Sequence, residues 1–245
     1  MGSTPIGSTI LKMPIYNNIN TIFVRVPKTA TTSICEKLYT ADSFARYFSK
    51  VRNTSTTNKQ TKELEKHETI RQIKDNIPVD DFNNYFKIGF VRNPWDWLVS
   101  YYSYYHENDH SKGVVLKNGI LERGANKFGN ISFKQFISII EKEAGEYRTR
   151  KNLSQLKYPF QPQHKYLIDE NERIIVDFVG KYENLDNDWN ILTEKLDINN
   201  SYRSMKLERL NSTHDKDYKT YYDDADVERV YKIYKKDVDL FGYSF

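Results

Sequence analysis

The feature that most constrains this chain is the segment TIFVRVPKTATTSI at residues 21–34. An apolar, β-branched run stops at Pro27. Lys28 and an unbroken set of small or hydroxyl residues follow (Thr29, Ala30, Thr31, Thr32 and Ser33), and then a helical pattern begins. A strand feeding a tight turn and a helix N-terminus makes an anion site, because unpaired backbone N–H groups and the positive end of the helix dipole converge there. Small side chains let the backbone close on the anion, hydroxyls add donors, and Lys28 adds a full charge. The same residues also suit an ordinary Thr-rich strand–helix turn with a surface lysine. A nucleoside-triphosphate P-loop fits badly, because that motif places glycines ahead of its lysine. Here Val26 and Pro27 precede Lys28, and no glycine lies between residues 17 and 28 or in the turn.

A second signal is YFKIGFVRNPWDWLVSYYSYY at residues 85–105. Residues 86–91 read as a buried strand with Arg92 at its carboxyl end. Asn93 is a good N-cap, Pro94 suits a first helical turn, and residues 95–105 read as a helix. Ser100 lies about two helical turns beyond Arg92, so a guanidinium and a hydroxyl could clamp one anion, the guanidinium offering a planar fork of donors. The alternative is an arginine capping a neighbouring carboxyl end, with Ser100 as helix filler. Two anion signals at the carboxyl ends of two strands weigh more than either alone.

Together these segments resemble the sulfotransferase superfamily, in its carbohydrate-type branch, sulfotransferase family 2. VPKTATTS is similar to the loop that binds the 5′-phosphosulfate of 3′-phosphoadenylyl sulfate (PAPS), and FVRNPWDWLVSYY to the segment that binds its 3′-phosphate. RVPKTATTS is especially similar to the loop of uronyl 2-O-sulfotransferases, including Arg25 and an alanine where many relatives have glycine. Supporting likeness continues through VDFVGKYENLDNDW, LNSTHDKDY and the final DVDLFGYSF. The resemblance implies that Lys28 contacts the bridging oxygen and the 5′-phosphate, while Thr29, Ala30, Thr31, Thr32 and Ser33 line the cradle. It implies that Arg92 and Ser100 hold the 3′-phosphate and that Tyr182 lies near the adenine, although Tyr182 reads equally as a buried strand-end aromatic. Asn211, Ser212 and Thr213 fall where relatives have a cofactor-covering loop, and Arg25 would face the sulfuryl group or an acidic acceptor. PAPS is then the donor and adenosine 3′,5′-bisphosphate (PAP) the product. No metal is implied, and the acceptor is a hydroxyl of a carbohydrate or other small molecule.

Sulfuryl transfer also needs a destination for the hydroxyl proton. In KHETIRQIKDNI, Ile70, Ile73 and Ile77 recur at helical spacing and mark a buried stripe. His67 stands three residues before Ile70, which puts it on the same inward face at the helix start. Family members resembling this chain use a histidine here as base, and a histidine titrating near neutrality suits that work. A histidine packed or exposed at a helix terminus is the alternative. Glu68 is the substitute, followed by His164 in QPQHKYL.

A chain of 245 residues makes one sizeable α/β domain or two small ones. Because the two anion motifs need each other, we read one domain at residues 21–245 after a leader at residues 1–20, partly vector-derived. The formal charge of +4 and pI ≈ 8.8 favour a polyanionic nucleotide and an acidic sugar, and are too mild to argue nucleic-acid binding. Cys35, the single cysteine, excludes an intramolecular disulfide and a cysteine metal cluster, and reads as a packed thiol. No apolar run has the length of a membrane span and no signal-peptide stretch opens the chain. The expectation is a soluble cytoplasmic enzyme of bacterial or viral origin, or a truncated soluble catalytic domain.

Along the chain, a helix is predicted near residues 31–39, a polar mobile loop or disorder at 53–62, and a long loop over the site at 106–130. Ser132 with Gln135 forms a capping box ahead of a stripe of Phe133, Phe136, Ile137 and Ile140. Residues 158–163 read as irregular and 173–182 as a strand. Leu185, Trp189, Leu192 and Leu196 mark one helix; Val227, Val230, Tyr231, Tyr234 and Val238 mark the last. Strands alternating with helices imply a mainly parallel central sheet with helices on both faces, which the resemblance makes a P-loop-NTPase-like three-layer fold. Two rival functions are a nucleotide-dependent kinase on a related fold, opposed by the missing loop glycines and the want of an assigned magnesium ligand, and a non-catalytic member that binds nucleotide or a partner. No residue pattern reads out the acceptor or the oligomeric state.

Overall fold

The computed structural model describes residues 14–51, 67–107, 114–117, 120–123, 131–149, 161–196 and 217–245. Within them the chain is α/β. The strands are β1 (Ile15–Tyr16), β2 (Thr21–Val24), β3 (Phe86–Val91), β4 (Val114–Lys117), β5 (Ile120–Arg123) and β6 (Phe178–Lys181). Seven α-helices are described: α1 (Thr31–Val51), α2 (Ile70–Asn76), α3 (Val79–Asn84), α4 (Pro94–Glu107), α5 (Phe133–Thr149), α6 (Leu185–Lys195) and α7 (Asp224–Phe241). The chain divides into two compact units, Met1–Val91 with Lys165–Leu210, and Arg92–His164 with Asn211–Phe245.

The first unit is built on a mixed four-stranded sheet in the order β1-β2-β3-β6. β1, within residues 1–20, pairs antiparallel with β2 (Ile15↔Ile22), while β2/β3 (Phe23↔Ile88) and β3/β6 (Phe90↔Gly180) are parallel. Both faces of the central strands are apolar, so they read as continuous hydrophobic runs. On one face Phe23, Ile88 and Phe90 meet Ile34, Cys35 and Leu38 of α1 and Leu185, Trp189 and Leu192 of α6. Ile22, Val24 and Val91, fully buried, alternate to the other face. Phe90 packs edge-on against Phe23 and Phe178, and a side chain at Gly180 would collide with its ring. At the start of β3, Lys87 is buried but satisfied: its ammonium donates to the carbonyls of Phe82 and Tyr85 and lies 3.2 Å from Asp177.

The second unit is helical at its core. Trp97, Leu98 and Tyr101 of α4, Phe136, Ile137 and Ile140 of α5, and Val230, Tyr234 and Val238 of α7 form one buried cluster. Trp97 meets Tyr101 and Tyr234 edge-on at 5.0 and 5.5 Å between centroids, the geometry aromatic quadrupoles favour. The predicted caps are present. Asn93 Oδ1 accepts the Trp95 N–H at 3.1 Å. Ser132 Oγ accepts the Gln135 N–H, and Gln135 Oε1 accepts the Ser132 N–H. Most of the predicted stripe positions are buried: Ile70, Ile73 and Ile77, then Leu185, Trp189 and Leu192, then Val230, Tyr234 and Val238, while Leu196, Val227 and Tyr231 are partly buried.

Four sequence expectations change. α1 runs on to Val51 rather than ending near 39, since no Gly or Pro interrupts it. The strand predicted at 173–182 is shorter, because Asp169 holds Arg173 in a turn through its backbone N–H and its guanidinium, closed by an Ile168↔Ile174 bridge. The loop expected at 106–130 contains the β4–β5 antiparallel hairpin; the sequence Asn118-Gly119 between the strands was the available signal. Finally, His67 is not on the helix. Thr69 caps α2 reciprocally with Gln72, so the helix starts at Ile70 and His67 sits in the turn before the cap. The polar run at 53–62 lies outside the described residues.

Candidate active site

The Lys28 loop owes its form to its backbone. Lys28 (φ 63°) and Ala30 (φ 59°) are left-handed, and Thr29 between them is not. Alternation of this kind brings neighbouring backbone N–H groups onto one side, the concavity that holds anions. Thr29 is fully buried and its hydroxyl donates to the Val26 carbonyl at 2.8 Å, so its donor shapes the loop. The first i→i−4 bond of α1 runs from Ile34 N–H to the Ala30 carbonyl at 3.1 Å, placing the N–H groups of Thr31, Thr32 and Ser33 ahead of the helical ladder. Thr31 and Ser33 are buried; Lys28, Ala30 and Thr32 are partly buried. A φ near +60° costs a residue with a Cβ about 1–2 kcal/mol, the physical reason a glycine would suit position 30.

His67 is tied to the foot of this loop. Its Nδ1 lies 2.8 Å from the backbone carbonyl oxygen of Arg25. A carbonyl only accepts, so Nδ1 carries the proton, and in the neutral ring Nε2 holds the lone pair. The structure thus ties His67 to the main chain of Arg25, three residues before Lys28, across 42 residues of sequence. The Arg25 side chain itself is only 2% exposed. Nearby, burial in the first place and then Cys35 hold the Tyr16 phenol well above its ordinary range, with the Arg25 charge pulling the other way. Cys35 is buried, as a packed thiol would be. Glu68 is partly buried beside His67, and Tyr182 opens a 3-10 turn directly after β6.

In the second unit Arg92 is held at both ends. Its Nε and Nη2 donate to the two oxygens of Asp96 at 2.6 and 2.9 Å, a bidentate fork onto the first turn of α4. Its backbone N–H donates to Gln163 Oε1 at 2.9 Å, and its carbonyl accepts from Gln163 Nε2 at 2.7 Å. Gln163 and His164 are in turn fixed by Asp237 of α7. Oδ2 accepts the Gln163 N–H at 2.8 Å; Oδ1 accepts the His164 N–H at 2.8 Å and the His164 Nδ1 proton at 2.6 Å. Arg92, Gln163, His164, Asp237 and Ser100 are all buried. His164, a substitute base in the sequence reading, has its Nδ1 committed to this carboxylate. Beside the cap, the Tyr222 hydroxyl donates to the Trp95 carbonyl, and burial leads the causes that raise its phenol well above the usual value.

Sequence reasoning missed Asp96, Gln163 and Asp237. Asp96 was findable, in the first turn of the helix that follows Arg92. Gln163 lies 71 residues from Arg92 and 74 from Asp237, with no local pattern to announce it. Asn211, Ser212 and Thr213 lie outside the described residues. Among the described residues, no group of three or more His, Cys, Asp or Glu could hold a metal, and no helix is long and apolar enough to cross a membrane.

Comparison with known proteins bears on both units. The profile of the family described as "Sulfotransferase family" matches residues 15–244. An uncharacterized protein of Archaeoglobus fulgidus is 28% identical over 116 residues, spanning 47% of this chain and 71% of that protein.

Proposed function

The chain belongs to the sulfotransferase family, and from that premise we propose that it moves a sulfuryl group from PAPS to a hydroxyl of a carbohydrate or other small acceptor. Supplied by the donor is an activated sulfur bonded through a bridging oxygen to the 5′-phosphate. The Lys28 ammonium and the backbone N–H groups at the start of α1 stabilise the negative charge that grows on the leaving phosphate. Thr31, Thr32, Ser33 and Ala30 line that cradle, with Thr29 shaping it. Arg92 and Ser100 hold the 3′-phosphate that distinguishes this donor from ATP; Tyr182 lies by the adenine, and Ser212 and Thr213 cover the nucleotide. Arg25 acts near the sulfuryl group through the backbone carbonyl that orients His67. His67 Nε2 takes the acceptor's proton as the acceptor oxygen bonds to sulfur and the S–O bond to the 5′-phosphate breaks, releasing PAP. The fold is then of the P-loop-NTPase-like three-layer kind, and an acidic uronyl sugar is the favoured acceptor. Family membership lends the kinase reading no support.

The observation that carries this reading is the 2.8 Å bond from His67 Nδ1 to the Arg25 carbonyl. It ties the base to Arg25, the residue three positions before Lys28. The test is His67→Ala, assayed by radiolabelled sulfate transfer to a glycan panel and by PAP binding. Turnover should fall about 10²–10⁴-fold, the range of general-base catalysis, with PAP affinity unchanged. Full turnover in the variant removes His67 from the mechanism; wild-type protein that binds PAP yet sulfates nothing removes catalysis from the proposal.

A further inference from the structure

We propose that Gln163, braced by Asp237, is a positioning residue that sets Arg92 for its anion, an inference resting on the 3′-phosphate reading of Arg92. β3 ends at Val91, so the next peptide needs partners of its own. Gln163 supplies both from one side chain: Oε1 accepts the Arg92 N–H and Nε2 donates to the Arg92 carbonyl. A primary amide presents an acceptor oxygen and a donor nitrogen side by side, which makes it a substitute strand neighbour. Gln163 is fully buried, so water cannot replace it. Its own backbone, and that of His164, are pinned by the fully buried Asp237 carboxylate, which takes two backbone N–H groups and the His164 imidazole proton. Arg92 is therefore fixed through its main chain by Gln163 and through its guanidinium by Asp96. Two fixed points leave the guanidinium little freedom to wander, and a planar fork rewards orientation more than proximity.

The role is separable from simple support of the fold. Gln163→Met keeps the volume and removes both amide bonds. Its affinity for PAP should drop at least about tenfold, while its affinity for adenosine 5′-monophosphate stays within about twofold of wild type. If Gln163 works through Arg92, the double variant with Arg92→Ala should bind PAP no more weakly than Arg92→Ala alone, since coupled residues are non-additive. Equal weakening toward both nucleotides, or fully additive losses, overturns the proposal. Should Gln163→Met not fold, Gln163→Asn, which keeps an amide too short to reach both groups, is read by the same two criteria. Arg92→Ala by itself separates the two levels. If it weakens both nucleotides equally, the 3′-phosphate reading fails; if it is selective and the Gln163 variants are not, only the positioning role fails.

Discussion

At the Lys28 loop, main-chain amides at the start of α1 follow a partly buried lysine. At Arg92 the charge is a guanidinium only 6% exposed, already forked onto a carboxylate. One region stores its geometry in backbone conformation, in two left-handed residues and a helix start. The other stores it in side-chain pairings drawn from residues 96, 163 and 237. Truncating a side chain in the first should therefore change chemistry more than stability. The same operation in the second should cost stability as well.

The strongest challenge to this contrast is Asp96→Ala. It removes the carboxylate from a buried guanidinium, and breaking a buried pair costs about 3–5 kcal/mol; a urea titration should show that loss, and a change below 1 kcal/mol would mean the fork is dispensable. Next comes Lys28→Ala. Removing one preorganised electrostatic group costs about 10²–10³-fold in turnover, here with an unfolding midpoint close to wild type. A variant that loses stability and keeps turnover would reverse the assignment of roles. Thr29→Val keeps the volume and deletes the hydroxyl that satisfies the buried Val26 carbonyl. It should destabilise by about 1–2 kcal/mol, marking a side chain on which the loop's form depends. Smallest is Ala30→Gly, which relieves the left-handed strain less the entropy a glycine loses on folding. A gain of roughly 0.5–1 kcal/mol is expected, read as a raised thermal midpoint; a loss would show that the strain is repaid elsewhere.

Legibility in the sequence followed the range of the interactions. β3 was readable residue for residue because six apolar or strand-compatible positions sit between a polar turn and Arg92. The Asn93 and Ser132–Gln135 caps span three residues or fewer, and local chemistry decides them. The apolar stripes of α2, α5, α6 and α7 were visible through their period. His67 was misplaced by the same reasoning, since periodicity extends a helix past a cap that only the Thr69–Gln72 pairing reveals. The bonds from His67 to Arg25, Gln163 to Arg92 and Asp237 to Gln163 join distant segments. No periodicity or dipeptide encodes them. The strand–turn–helix around Lys28 was legible as a motif, while its alternating φ at Lys28 and Ala30 was not, because neither residue type announces a left-handed backbone.

Burial of Cys35 has one more consequence. It is the sole thiol of the chain, 1% exposed, and lies on the second turn of α1, the helix whose first turn the anion loop feeds. An alkylating reagent can reach it only when that helix lifts from the sheet, so the labelling rate times this opening. The molecule carries its own stopwatch, and a nucleotide gripping the loop should make it run slow.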